Sequence, residues 1–100
     1  MKIFFLILLI HFILSTKNVF HIIPHSHCDA GFVKTFEKYY EEEVRFIIHS
    51  VTNQLYNNTN LRFSWAEIGY LHKYWTDPRT TEEMKNKFKK IVSNNQMVRN

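Results

Sequence analysis

The sequence predicts an α/β fold made of parallel β/α units, and three observations carry that prediction. Two short runs rich in β-branched and aromatic residues, 19–23 and 61–66, have the length of strands. Between them lies a long stretch in which apolar residues recur at steps of three and four. After the second run come two more helical patterns and a third short run at 96–99. Strand, helix, strand, helix and strand with crossovers of this length make a parallel sheet with right-handed connections. Sheets of that kind need several strands and cover on both faces, so residues 17–100 read as part of a larger sheet.

Taken in order, residues 1–16 form a targeting segment. Lys2 precedes an apolar run from 3 to 14 interrupted only by His11, and Ser15-Thr16 offers small residues for cleavage. A membrane span needs about 20 apolar residues, so a signal peptide is the expectation and a membrane role would require the segment to be retained as an anchor.

The first strand is expected at 19–23 and to be ended by Pro24, which has no N–H to donate. Beyond it stand His25, His27 and Asp29 at every second position, followed by Gly31. In extended backbone these three side chains share one side while Ser26 and Cys28 take the other. Two imidazoles and a carboxylate suit a borderline cation such as zinc (Zn2+), with bonds of roughly 2.0 to 2.2 Å. The bland alternative is a polar turn whose histidines only finish a strand. Gly31 is expected to let the backbone pass close to whatever lies above.

A helix is expected from about Thr35 to Tyr56, with Phe36, Tyr40, Val44, Ile47, Ile48, Val51 and Leu55 on its buried face. The following turn contains the glycosylation sequon Asn57-Asn58-Thr59, which makes Asn57 a candidate glycan site on an exported chain. The second strand, 61–66, alternates Leu61, Phe63 and Trp65 with Arg62 and Ser64. Glu67 opens a short helix and is expected to complement its N-terminal dipole, with a site role as the lesser reading. Asp77-Pro78 stops that helix, and Thr80 with Glu83 forms a capping box for the next, whose buried face is Met84, Phe88, Ile91 and Val92.

Composition excludes several classes. Hydrophobic residues make up 45% of the chain, and there are only two glycines and two prolines, so a disordered or low-complexity segment is ruled out. The net charge of +4 is dispersed, apart from Lys85, Lys87, Lys89 and Lys90, and these share their helix with Glu82 and Glu83. That is a solvated face, and no nucleic-acid role is expected. The lone Cys28 cannot form an internal disulfide, and its parity sets it apart from His27 and Asp29, as a packed thiol.

The motif His25-Ser26-His27-Cys28-Asp29-Ala30-Gly31-Phe32, with Lys34-Thr35-Phe36-Glu37-Lys38-Tyr39-Tyr40 after it, resembles the opening signature of the glycoside hydrolase family 38 α-mannosidases. That signature runs His-Ser/Thr-His-Asn/Asp-Asp-x-Gly-Trp. A second match, Arg62-Phe63-Ser64-Trp65-Ala66-Glu67-Ile68-Gly69-Tyr70 with Tyr74-Trp75 beyond it, follows at the family's spacing. The likeness covers 19–97 and is closer to the Golgi processing branch than to the lysosomal one.

The resemblance implies that residues 17–100 are the N-terminal part of a β/α barrel-like glycosidase domain that hydrolyses α-mannosidic bonds of N-glycans. It implies His27 and Asp29 as zinc ligands and His25 as a neighbour that orients the site. It implies Phe32 as the apolar platform under the sugar, where the family has tryptophan. The family's nucleophile is expected beyond Asn100, so no catalytic residue is assigned within this chain, and the fragment alone is expected to be inactive. The substrate implied is a mannose-containing oligosaccharide or glycoprotein. The expected compartment is the lumen of the secretory pathway, Golgi or lysosome, or the outside of the cell. Two other readings stand beside it: a metal-dependent amidohydrolase or deacetylase, and a non-catalytic truncated secreted product. The Trp65-Ala66-Glu67-Ile68 match has no reason to occur in a deacetylase.

Overall fold

The computed structural model describes residues 2–3, 6–7 and 17–99. Twelve of the sixteen residues of the expected leader, 1–16, therefore lie outside the described residues. Among them no helix is long and apolar enough to cross a membrane.

The long first helix forms as α1 (Phe36–Tyr39), a π turn (Tyr40–Val44) and α2 (Arg45–Asn57) in direct succession. Thr35 is its N-cap, and the Thr35 hydroxyl accepts from the Lys38 amide at 3.2 Å. The π turn has a cause in the spacing of the apolar residues. Phe36, Tyr40, Val44, Ile48 and Thr52 follow one another at strict steps of four, and each such step advances about 40° around an ideal α-helix. One wider turn cancels part of that drift and keeps the row on one face. Tyr40, Val44, Ile48, Thr52 and Leu55 are accordingly buried, whereas the expected core residue Ile47 is exposed.

β1 (Phe63–Trp65) and β2 (Met97–Arg99) pair in parallel, Phe63 opposite Met97 and Trp65 opposite Arg99. Their crossover holds α3 (Ile68–Thr76) and α4 (Glu82–Ser93). On the other side of β1 a single parallel bridge joins His25 to Ser64. The chain therefore lays three parallel segments side by side in sequence order, with α1 and α2 crossing between the first and second. Trp65, Tyr70, Leu71, Tyr74, Ile91 and Met97 close the core against the long helix. Phe36 stacks on Tyr70 at 4.4 Å between ring centres, and Tyr39 meets Tyr70 edge-on at 6.0 Å.

Several expectations need correction. Residues 19–23 are not a strand, and Val19, Phe20, Ile22 and Ile23 are 66% to 90% exposed. With His25 opposite Ser64, their partners would be residues just before β1, and those leave α2 in a turn in which the Leu61 amide bonds the Asn58 carbonyl. The same turn shortens β1 from the expected 61–66. Pro24 begins the ladder instead of ending it: its carbonyl accepts from the Ser64 amide at 2.8 Å, and the first position of a strand tolerates a missing N–H. α4 is capped one residue later than expected. The Thr81 hydroxyl accepts from the Met84 amide, while Thr80 donates to the Tyr74 carbonyl.

The end of α4 explains how β2 is set in place. Asn95 adopts φ of 57°, the Asn95 amide bonds the Val92 carbonyl, and the Gln96 amide bonds the Ile91 carbonyl. This is a Schellman close, with asparagine in the left-handed position. It buries Gln96, whose side-chain amide donates to the Leu55 and Asn58 carbonyls at 2.7 and 3.0 Å and so satisfies the end of α2.

Gly31 has φ of +79°, and an added Cβ there would meet nothing within 4 Å. Glycine is needed for the backbone angle, and not for the close approach that the sequence suggested. Gly31→Ala is expected to destabilise the protein by about 1 to 2 kcal/mol, the cost of holding an L-residue in this region. An unchanged urea midpoint would refute this.

Candidate functional site

The alternation expected for 25–29 is present. Ser26 and Cys28 are buried, and His25, His27 and Asp29 are exposed. His27 Nε2 lies 3.4 Å from Asp29 Oδ1, with the two side chains 78% and 57% exposed. Both face a cleft of about 300 Å³ whose walls also include Phe32, Val33, Lys34, Tyr39 and Glu43. Phe32 is 80% exposed and offers its ring to that space.

The cleft therefore gathers three of the residues singled out from the sequence, His27, Asp29 and Phe32. His25 is not among its lining residues, and its Nδ1 lies 2.8 Å from the Ser26 carbonyl oxygen. Asn57, the sequon residue, ends α2 on the exposed surface, well apart in sequence and element from the cleft.

The far wall is cationic and acidic at once. Lys34 donates to Glu42 at 2.6 Å and to Glu43 at 2.5 Å, and these bonds raise the ammonium above its ordinary range. Tyr39 is raised as well, by burial first and by the neighbouring Cys28 and Glu43 next. Burial, then the charge of Glu67, pushes the Cys28 thiol up, so it stays protonated and inert at neutral pH.

Sequence reasoning undervalued two residues, Ser26 and Glu67. The Glu67 side chain makes no capping bond to α3. It turns back instead: Oε2 accepts from the Ser26 hydroxyl at 2.5 Å and Oε1 from the Cys28 amide at 2.8 Å. The signal that could have found it was its place immediately after a strand expected to lie beside the segment that carries His27 and Asp29.

Among the described residues no group of three or more His, Cys, Asp or Glu side chains could hold a metal ion by itself. His27 and Asp29 follow the parallel bridge that joins His25 to Ser64. The fold defines the class, a small α/β protein with parallel strands joined by helical crossovers. Residues 17–99 match the family described as glycosyl hydrolases family 38 N-terminal domain, and the chain belongs to that family. It is 37% identical over 102 residues to alpha-mannosidase C of Dictyostelium discoideum, a match covering 92% of this chain and 9% of that protein. It is 37% identical to alpha-mannosidase 2 of Drosophila melanogaster over 76% of this chain and 7% of the relative. With alpha-mannosidase 2x of Mus musculus the identity is 34%, over 76% of this chain and 6% of the relative. The chain thus spans less than a tenth of the length of these relatives.

Proposed function

We propose that this chain is the opening β/α portion of a zinc-dependent retaining α-mannosidase that acts on mannose-containing glycans in the secretory pathway. His27 and Asp29 are two of its metal ligands, and Phe32 is the apolar platform for the sugar.

The observation that carries this reading is the spacing of the two donors. Neighbouring corners of a tetrahedron with bonds of 2.0 to 2.2 Å lie about 3.3 to 3.6 Å apart. His27 Nε2 and Asp29 Oδ1, at 3.4 Å, already have that separation, and both are exposed to the cleft. The donor set fits zinc, with further ligands coming from outside the described residues. When bound, the ion supplies Lewis acidity toward sugar oxygens.

The residues of this chain bind and orient. Phe32 presents an apolar face on which the carbon-rich side of a pyranose can rest, with less area than an indole would offer. Retaining hydrolysis needs two carboxylates about 5 to 5.5 Å apart. Asp29 is committed to the metal in this reading and Glu43 is held by Lys34, so this chain is assigned neither of them. Exposed Asn57 is the proposed glycan site.

The test is hydrolysis of an aryl α-mannoside by the full-length protein before and after zinc is removed with a chelator. We expect turnover that is lost with the metal and restored by adding zinc. Release of acetate from acetylated sugars, with the mannoside untouched, would replace this reading by the deacetylase. Inactivity on both in the presence of zinc would leave the non-catalytic product.

A further inference from the structure

We propose that Glu67 is the positioning residue of this site: its carboxylate holds the backbone on either side of His27 so that His27 and Asp29 present their donors together. The proposal rests on the reading of His27 and Asp29 as metal ligands and assigns what keeps them in place.

The Ser64 amide bonds the Pro24 carbonyl at 2.8 Å, and the Ser26 amide bonds the Ser64 carbonyl at 3.0 Å. If this parallel ladder continued, the Ala66 amide would go to the Ser26 carbonyl and the Cys28 amide to the Ala66 carbonyl. Neither backbone bond forms, because the chain leaves β1 after Trp65 and turns into α3. Side chains take over both rungs. The Ala66 amide donates to the Ser26 hydroxyl at 2.9 Å, and the Cys28 amide donates to Glu67 Oε1 at 2.8 Å. The Ser26 hydroxyl then donates its own proton to Glu67 Oε2 at 2.5 Å, so one carboxylate closes the whole arrangement.

The consequence falls on the two donors. His27 lies between residues 26 and 28, both tied to Glu67, and Asp29 follows the anchored Cys28 amide directly. With Ser26 and Cys28 held inward, extended geometry leaves His27 and Asp29 outward on one side. Glu67 itself is held from behind, since its carbonyl accepts from the Trp65 indole N–H at 2.8 Å and Trp65 is fully buried. An anchored partner of this kind acts on metal affinity by orienting ligands, and its loss typically costs 10- to 100-fold.

The experiment compares wild type, Glu67→Gln and Ser26→Ala in the full-length protein. Zinc affinity is read by chelator competition, the visible spectrum is recorded after cobalt substitution, and hydrogen exchange is measured at the Cys28 amide. Glutamine points an N–H₂ at the Ser26 hydroxyl or the Cys28 amide, which donate to the native carboxylate, and Ser26→Ala removes the hydroxyl that links Glu67 to the Ala66 amide. We expect zinc affinity about 10- to 100-fold weaker in both variants, an altered cobalt spectrum, and faster exchange at Cys28. The two variants act from opposite partners, so misfolding of one leaves the other decisive. Wild-type affinity, spectrum and exchange in either folded variant overturns the proposal. If wild-type protein holds no zinc, the metal reading fails on its own. Cys28 exchange then decides: acceleration in the variants sustains the clamp, and equal exchange overturns it.

Discussion

If His27 and Asp29 are zinc ligands as proposed, His27→Ala and Asp29→Ala are each expected to weaken zinc binding by the full-length protein by more than about 100-fold and to abolish any mannoside hydrolysis, without unfolding it. The lower bound comes from partners that only orient a ligand, whose loss costs 10- to 100-fold, so losing the ligand itself must cost more. The fold should be indifferent, because both side chains are exposed and neither belongs to the buried core. Surface substitutions of that kind usually change stability by no more than about 0.5 kcal/mol. Metal content after dialysis and the thermal midpoint, measured on the same samples, check both halves. A folded His27→Ala protein that keeps a full complement of zinc and its activity would remove the central assignment.

Asp77→Ala is expected to be the most damaging single truncation of a polar side chain, at about 2 to 3 kcal/mol. Asp77 is buried at the end of α3, where its carboxylate accepts from the Tyr40 hydroxyl at 2.7 Å. It also accepts from the Arg79 amide at 2.9 Å and from the Arg79 guanidinium at 2.8 and 3.0 Å. Arg79 continues to Glu41 through two bonds of 2.6 and 2.9 Å, which ties the turn after α3 to the π turn. Truncation would strand the hydroxyl of Tyr40, a fully buried residue, and release the guanidinium; because Arg79 is half exposed, the loss falls at the lower end for a buried ion pair.

The same network sets a pH dependence. The Arg79 guanidinium, with the Tyr40 hydroxyl behind it, holds the Asp77 carboxyl well below the usual carboxylate range, against the opposing effect of burial. A carboxyl depressed in the folded state contributes stability that is fully present above its unfolded value, near 3.9, and is lost as pH falls toward the folded value. The wild-type urea midpoint should therefore fall between about pH 4 and pH 2 by more than that of Asp77→Asn. Parallel curves for the two proteins would count against this network.

Much of the fold was legible in the sequence because it depends on local periodicity. The steps of three and four in 36–55 and 82–92 predict amphipathic helices, and the first of these also accounts for the π turn once strict steps of four are noticed. The alternation at 25–29 was legible for the same reason, since extended backbone alone separates Ser26 and Cys28 from His27 and Asp29. The strand at 19–23 was misread because its composition suits a sheet, whereas a ladder also needs a partner backbone opposite. The residues before β1 are occupied in closing α2.

By itself, then, the sequence determined the helices, the parallel β/α pattern, and the placing of His27 and Asp29 on the side of their segment opposite Ser26 and Cys28. These follow from backbone period and from motifs contained in a few neighbouring residues. Only the tertiary structure decided that Glu67 turns away from its own helix to hold the segment carrying that pair. It also decided that Gln96 closes α2 and that Asp77 joins Arg79 to Tyr40. Each of these is a polar group choosing among partners about 40 residues away, or on another element. That choice is made by which unsatisfied donors and acceptors packing brings within 3 Å, and no local pattern records it.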